Sequence, residues 1–183
     1  MGGKERRRAA ILTGERGVGK TTLCIELARA HPEFSGIVSP AIFDSTGRKV
    51  GFSCQCLQSG EQWDLGRSDA PLEGPSYGTY TFSAHGIARG IECVRAALGR
   101  PGPIVILDEI GPLEMELGAG FFPLLPLLAS AGDLLLVTRP RFAARLAGGL
   151  PSHACRRFFL SPGGRGLTAR IVEYFSLRAS PPA

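Results

Sequence analysis

The sequence predicts an α/β fold in which helices flank a mainly parallel central β-sheet. Short runs of aliphatic residues alternate with helix-length segments along the chain. The first of these runs leads through a glycine-rich turn into an amphipathic segment, as a strand–loop–helix unit would. A second run, Ile104–Leu107, ends in two consecutive carboxylates, which is typical of a buried strand that delivers polar groups to the sheet edge.

Length and composition fit one soluble domain that spans residues 1–183, of which 44% are hydrophobic. The ends, 1–7 and 179–183, are expected to be flexible tails. No apolar run approaches the roughly 20 residues that cross a bilayer, and the basic N-terminus leads into no secretory core. We therefore expect a cytoplasmic protein without a membrane partner, whose five cysteines are reduced thiols that bind no metal.

The net charge of +5 comes mainly from scattered arginines. Such a charge attracts nucleotide phosphates as readily as nucleic acid. Only Arg6–Arg8 and Arg156–Arg157 cluster, and no basic stretch is interleaved with aromatic residues. Nucleic-acid binding is therefore left open but is not indicated.

The first element is a strand at Ala9–Thr13, followed by a glycine-rich turn and a helix at Lys20–Ala30 that His31-Pro32 ends. Two strand-like stretches, Ile37–Phe43 and Lys49–Leu57, flank the turn sequence Asp-Ser-Thr-Gly. They predict an antiparallel hairpin added to the sheet.

Residues 58–76 are polar and rich in glycine and serine, so we expect a long, mobile surface loop. A short strand follows at Tyr77–Phe82, and a helix at Ala84–Leu98. Pro123 and Pro126 predict a broken helix over Phe121–Ala129. The remaining expected elements are the strands Ile104–Leu107, Leu134–Thr138 and Arg157–Leu160 and the helix Thr168–Leu177.

One motif with the spacing G-x-x-x-x-G-K-[ST] follows the first strand and opens the first helix. Its glycines let the loop wrap so that backbone N–H groups and the helix N-terminus face a phosphate. Lys20 is expected to reach the β- and γ-phosphates, and the Thr21 hydroxyl to bind Mg²⁺. The predicted nucleotide-binding residues here are Gly14, Glu15, Arg16, Gly17, Val18, Gly19, Lys20, Thr21 and Thr22.

Asp108 and Glu109 supply the second half of the predicted site, a P-loop nucleoside-triphosphatase site. At the carboxyl end of a buried strand, Asp108 would hold Mg²⁺ and contribute to nucleotide binding. Glu109 would deprotonate or orient the attacking water, so Lys20 and Glu109 are the predicted catalytic residues. We expect the Asp108 strand to lie next to the phosphate-loop strand.

Other polar residues carry two interpretations each. Thr138 would either sense the γ-phosphate or cap its strand. Arg139 and Arg141 would stabilise transition-state charge or be solvated loop arginines. Trp63 and Tyr77 would stack on a base or anchor the loop. We interpret His85 and His153 as structural or exposed.

Several segments together resemble the small nucleoside-triphosphatases of the thermophile-type and cancer-related family. The similarity covers nearly the full length and is carried by the phosphate loop and four further matches. These are Gly36, Gly47–Phe52, Gly78–Tyr80 and the segment Asp108–Glu114. In the chain, Ile42–Asp44 replaces the charged hairpin stretch of that family, and Gly164-Arg165 replaces its Asn-Arg.

The resemblance implies a monomer with a RecA-like sheet that hydrolyses ATP, GTP and other triphosphates slowly, with loose base preference. It also implies that Arg165 covers the nucleobase. Glu114 matches a second glutamate of the family, without a physical role that the sequence suggests. Two alternatives remain: a small-molecule kinase and a nucleotide-dependent switch that acts through a partner. A kinase would need an acceptor pocket and an arginine-rich lid, and residues 58–76 contain a single arginine, Arg67, which argues against it.

Overall fold

A computed structural model describes residues 7–164 and 166–177. The strands are β1 Arg8–Gly14, β2 Phe34–Val38, β3 Ala41–Phe43, β4 Lys49–Cys56, β5 Gln62–Arg67, β6 Ser76–Tyr77, β7 Tyr80–Phe82, β8 Ile104–Ile110, β9 Leu134–Thr138 and β10 Ala154–Leu160. The α-helices are α1 Lys20–Ala30, α2 Ala84–Leu98, α3 Pro112–Met115, α4 Leu125–Leu128, α5 Pro140–Gly148 and α6 Leu167–Tyr174.

All ten strands belong to one sheet with the order β10-β1-β9-β8-β2-β4-β5-β7-β6, and β3 pairs with β4. The strands from β10 to β2 run parallel to one another. Those beyond β2 are antiparallel. The antiparallel addition is therefore larger than the single hairpin that the sequence predicts, and β2 is the strand that both halves share.

Each face of the sheet carries its own core, because successive strand residues point to opposite sides. Ala9 and Ile11 of β1 pack in one core with residues of α2, α4 and α5. Ala10 and Leu12 pack in the other core with residues of α1 and α6. The inner parallel strands β1, β9 and β8 are buried on both faces and have continuous apolar runs, as the sequence suggested, whereas the edge strand β10 is mostly exposed.

The close pairing of β2 with β8 depends on Gly36. This residue has φ 104°, and a Cβ there would overlap the carbonyl oxygen of Ile106. Only glycine combines that backbone conformation with so near an approach. The match of Gly36 to the family pattern thus has a packing reason.

Two expectations about the antiparallel half are wrong. The stretch Ile37–Phe43 is not one strand, because Pro40 cannot donate a ladder hydrogen bond and the chain leaves β2 there. The segment 58–76 is not one long loop, because β5 lies inside it and pairs with β4 from Gly51↔Arg67 to Gln55↔Gln62. The β3–β4 hairpin itself is confirmed, and Asp44 accepts hydrogen bonds from the backbone N–H groups of Thr46 and Arg48.

The other elements follow the sequence more closely. Helices α1 and α2 have the predicted bounds, and Phe122–Leu124 forms a 3₁₀ turn before the short α4, so the broken helix is confirmed. Tyr77–Phe82 proves to be a tight hairpin of β6 and β7. Helices α3 and α5 are additions that the sequence analysis did not predict. Of the predicted tails, 1–7 and 179–183, the structure describes only Arg7. Residues 1–6 and 178–183 lie outside the described residues.

The prediction that all five cysteines are reduced is wrong for two of them. Cys56 of β4 and Cys93 of α2 form a disulfide, with 6.2 Å between their Cα atoms. The packing of α2 on β4 brings together residues 37 positions apart, which local spacing does not reveal. Cys24, Cys54 and Cys155 are free thiols. Within the described ranges, no helix is both long and apolar enough to span a membrane, and no cluster of His, Cys, Asp or Glu side chains could by itself hold a metal.

Candidate active site

The predicted phosphate loop lies between β1 and α1. β1 ends at Gly14, which approaches β10 so closely that a Cβ would overlap the carbonyl oxygen of Leu160. Gly19, with φ 100°, forms the N-cap of α1, where no side chain caps the helix. The first N–H groups of the helix are therefore left for a ligand, and the helix dipole favours an anion there.

A cavity of about 390 Å³ opens in front of this helix end. Lys20 borders it and donates hydrogen bonds to the carbonyl oxygens of Gly14 (2.9 Å) and Glu15 (2.8 Å). Glu15, Gly14 and Val18 shape the loop but do not line the cavity, and the Glu15 side chain is exposed. The predicted binding residues that do line it are Arg16, Gly17, Gly19, Lys20, Thr21 and Thr22.

Asp108 lies beneath this cavity and is fully buried. Its carboxylate accepts hydrogen bonds from the backbone N–H of Ser39 (3.0 Å) and of Glu109 (2.9 Å) and from the Thr21 hydroxyl. Burial, and secondly the nearby Glu109 carboxylate, raise the pKa of Asp108 to about 6 despite these bonds. The structure thus brings together Thr21 and Asp108, the two predicted metal-binding residues.

A β-bulge separates the two carboxylates. Leu107 lies opposite Leu136 and Ile110 opposite Thr138, so two residues of β8 face one residue of β9. Glu109 has φ 64°, a left-handed conformation that is uncommon for a residue with a side chain. Bulges re-aim side chains. Here Asp108 lies under the phosphate loop, while Glu109 is half-buried and lines the cavity.

β9 lies between β1 and β8, so the expectation that the Asp108 strand is the direct neighbour of the loop strand is wrong. The insertion adds the carboxyl end of β9 to the site. The Thr138 hydroxyl donates to the carbonyl oxygen of Ile110 at 2.6 Å and so fastens the bulge, in agreement with the strand-capping interpretation.

The structure separates the two candidate arginines. Arg139 follows β9 and lines the cavity. Arg141 pairs with Glu116 at 2.8 Å on the surface and does not line the cavity. Arg139 is therefore the arginine whose position suits a charge on the γ-phosphate.

Lys49, at the start of β4, is a site residue that sequence reasoning missed. Its side chain lines the cavity and lies 3.7 Å from the centre of the Phe52 ring. Burial lowers the pKa of Lys49, an effect that the Glu109 carboxylate opposes. The sequence signal was present in the hairpin match Gly47–Phe52, but nothing in it showed that the hairpin folds over the phosphate loop.

Glu114, which had no assigned role, fastens the segment behind the bulge. Its carboxylate is 3% exposed and accepts hydrogen bonds from the N–H groups of Gly111 (2.9 Å) and Phe121 (3.1 Å). Burial raises the pKa of Glu114 to about 7. The residue joins both ends of the connection that contains α3.

Of the remaining predicted residues, three lie away from the phosphate loop and one lies outside the described residues. Trp63 donates to the carbonyl oxygen of Gly86 at 2.9 Å and stacks under Arg89, so it anchors β5 to α2. His85 is exposed, and His153 is buried against the carbonyl oxygen of Gly132. Arg165 lies outside the described residues, and its predicted contact with a nucleobase stays a prediction.

The donors around Asp108 fit Mg²⁺. Magnesium in nucleotide sites takes oxygen ligands from one or two side chains and from phosphates, and keeps several waters. Thr21 and Asp108 supply one hydroxyl and one carboxylate already in contact with each other.

Comparison with known proteins agrees with this geometry. A family model described as NTPase matches residues 9–153. The chain belongs to the NTPase family. The family resemblance suggested by the sequence is thereby confirmed.

Two relatives are proteins named nucleoside-triphosphatase THEP1. The protein from Methanopyrus kandleri is 34% identical over 60% of this chain and 61% of its own length. The protein from Thermococcus kodakarensis is 31% identical over 74% of this chain and 78% of its own length. The matched segment thus spans less than two thirds of the Methanopyrus protein.

Two solved structures share the fold. THEP1 from the hyperthermophile Aquifex aeolicus superposes with a TM-score of 0.70 at 20% identity, over 90% of this chain and 97% of that one. A human cancer-related nucleoside triphosphatase gives 0.69 at 24% identity, over 91% and 96%. The α/β P-loop fold predicted for the family is confirmed.

Proposed function

We propose that the protein is a Mg²⁺-dependent nucleoside-triphosphatase that converts ATP, GTP and other triphosphates to the diphosphate and phosphate. The observation that carries the proposal is one cavity bounded by an open helix N-terminus on one side and by the Asp108–Glu109 bulge on the other. Family membership supports the same reaction.

The phosphate loop and Lys20 would bind the β- and γ-phosphates. Lys20 donates to two carbonyl oxygens of its own loop. In the complex, phosphate oxygens would replace these acceptors, since charge-assisted hydrogen bonds to phosphate are the stronger ones. Thr21 and Asp108 would hold Mg²⁺, which supplies neutralisation of the charge that develops on the phosphates.

Glu109 would act as the general base. It is the half-buried carboxylate of the cavity, while Asp108 is engaged in three hydrogen bonds below. The proton of the attacking water would pass to Glu109 as its oxygen bonds to the γ-phosphorus. Lys49 and Arg139, both at the cavity wall, would stabilise the negative charge on the γ-phosphate oxygens.

We further propose broad base specificity, with Arg165 as the residue that covers the base, as the family resemblance implies.

A phosphate-release assay with purified protein tests the function. We expect Mg²⁺-dependent release from ATP and GTP, abolished in Lys20→Ala and reduced about 100-fold or more in Glu109→Gln. Glu26→Gln is the matched control, because Glu26 is an exposed carboxylate on α1 away from the cavity lining. Wild-type turnover in Glu109→Gln would refute the general-base assignment.

A further inference from the structure

A second cavity, of about 340 Å³, lies on the other side of Glu109. Its walls come from the antiparallel half of the sheet, from α2 and from the connection after β8. They are largely apolar, and the apolar and aromatic side chains that line them include Leu65, Tyr77, Phe82, Ile87, Leu113 and Phe121. At liquid density this volume would hold about ten water molecules, and it lies within the range of small-molecule sites.

The two cavities share a wall. Ser39, Glu109 and Arg139 line both of them, together with Arg16 and Phe52. In the proposed function the phosphate loop would bind the polyphosphate from the first cavity, so the γ-phosphate would end at this wall. A molecule in the second cavity would therefore meet the γ-phosphate from the side on which water attacks.

Ser39 gives the shared wall an unsatisfied polar atom. Ser39 is 2% exposed, and its hydroxyl has no hydrogen-bond partner within the described parts of the chain. A buried hydroxyl without a partner costs free energy. Its oxygen is enclosed in this conformation, but Ser39 borders both cavities, and rotation about χ1 would let the hydroxyl bond to a ligand at the shared wall. Ser39 is held in place because its own N–H donates to Asp108.

The mouth of the second cavity connects to the phosphate loop. Arg16 donates to the Tyr80 hydroxyl at 3.3 Å, which links the loop to the β6–β7 hairpin. In the same hairpin, the Tyr77 hydroxyl donates to Glu116 at 3.1 Å. Two tyrosine rings thus stand at the cavity with their hydroxyl groups already bonded, leaving the rings as apolar surface.

We propose that the second cavity binds a small molecule with an aromatic body, whose hydroxyl group meets Ser39 and Glu109 and accepts the γ-phosphoryl group. This inference rests on the proposed function, because it uses the same nucleotide site and the same base. An apolar cavity with a few convergent polar groups at one end is the arrangement that orients such a ligand.

The transfer balances with these groups alone. The acceptor oxygen bonds to the γ-phosphorus while the bond between that phosphorus and the bridging oxygen of the diphosphate breaks. The hydroxyl proton passes to the Glu109 carboxylate, and the diphosphate leaves with the electron pair. The products are a nucleoside diphosphate and a phosphate monoester; water in place of the alcohol gives free phosphate.

Binding and transfer can be measured separately on the whole protein. The probes are benzyl alcohol, 2-phenylethanol and indole-3-ethanol, with 3-ethylindole as the analogue that lacks the hydroxyl. Calorimetry without nucleotide should detect a Kd on the order of 1 mM or tighter for at least one alcohol. With Mg²⁺ and ATP labelled at the γ-phosphate, that alcohol should acquire the label, and 3-ethylindole should bind without acquiring it.

Two variant pairs locate the site. Tyr77→Ala should weaken binding of the alcohol about tenfold, whereas Phe159→Ala, an exposed aromatic that lines neither cavity, should not change it. Ser39→Ala should lower label transfer at least tenfold without lowering the melting temperature, since its hydroxyl has no partner to lose within the described residues. Ser35→Ala removes a buried hydroxyl of β2 that likewise has no partner among the described residues, and it should leave transfer unchanged because Ser35 lines neither cavity.

Failure of the inference and failure of the proposed function look different. Intact phosphate release from ATP, with no alcohol bound, would overturn the second site and leave the hydrolase standing. Binding without label transfer would overturn the acceptor role. Competition between ATP and the alcohol for binding would show that the nucleotide itself occupies the cavity, and would overturn the proposal as well.

Discussion

Glu114 makes folding stability depend on pH in a way that a surface carboxylate would not. Burial raises its pKa from 4.5 to about 7, so between these values the folded chain binds a proton that the unfolded chain releases. This proton binding stabilises the folded state relative to the unfolded state. The stabilisation is complete below about pH 4.5 and is lost as the pH rises through 7.

We therefore expect wild-type stability to fall relative to Glu114→Gln by up to about 3 kcal/mol between pH 5 and pH 8. The glutamine variant loses the same amount of stability at every pH, because its NH₂ group must face a backbone N–H. In the wild type that N–H donates to the Glu114 carboxylate. Urea unfolding of both proteins across this pH range measures the difference. A pH-independent difference would show that Glu114 titrates like an exposed group.

Lys49 offers a second test at single-residue resolution. Its ammonium lines the phosphate-loop cavity beside Glu109, so Lys49→Met should lower turnover on the order of 100-fold with little loss of stability. Arg48→Met is the matched control, because the neighbouring Arg48 side chain is 74% exposed and pairs only with Asp44 of its own hairpin among the described residues. Equal turnover in the two variants would remove Lys49 from the proposed mechanism.

The sequence predicted those site residues that lie close to one another along the chain. The phosphate loop is one such case, since strand, loop and helix are consecutive. Ser39 follows β2, Lys49 begins β4 and Arg139 follows β9, and only sheet pairing brings them together. No local pattern distinguishes Arg139 from Arg141, whereas the ion pair with Glu116 does.

Strand β5 shows why an element can be missed. Its sequence, Gln-Trp-Asp-Leu-Gly-Arg, has no clean alternation, and only two of its six residues are buried. It is a strand because β4 offers it a hydrogen-bonding edge. Helix α5 was missed for a related reason: it has nine residues, and its Pro140 reads as a breaker although proline suits the first helical position.

The disulfide between β4 and α2 can be tested by counting free thiols and by measuring stability without the bond. In denaturant, thiol titration should find three free cysteines without a reductant and five after reduction. Cys93→Ser should lower the free energy of unfolding by up to about 4 kcal/mol, since the bond closes a loop of 37 residues. Cys155→Ser, at an exposed free thiol, should leave it unchanged. Five free thiols without a reductant would contradict the bond.

At the scale of the molecule, the parallel and antiparallel halves should unfold together. β2 pairs with β8 on one side and β4 on the other, and a single core contains Leu65 of β5 as well as Ile11 of β1. Fluorescence of Trp63, the single tryptophan, reports on the antiparallel half, and far-UV circular dichroism reports on the whole. With the disulfide intact we expect coincident urea transitions. An earlier fluorescence transition would mean that the antiparallel half opens independently.

The sheet ends at β10, whose outer side pairs with no strand in the described part of the chain. Such an edge invites another copy to add a strand, the more so because Phe159 stands 57% exposed on it. Arg156 and Arg157 put two positive charges on the same short edge, where an approaching identical strand would carry the same two. Mutual repulsion between copies thus opposes pairing at this edge, and replacing both arginines by neutral residues should lower solubility and promote self-association.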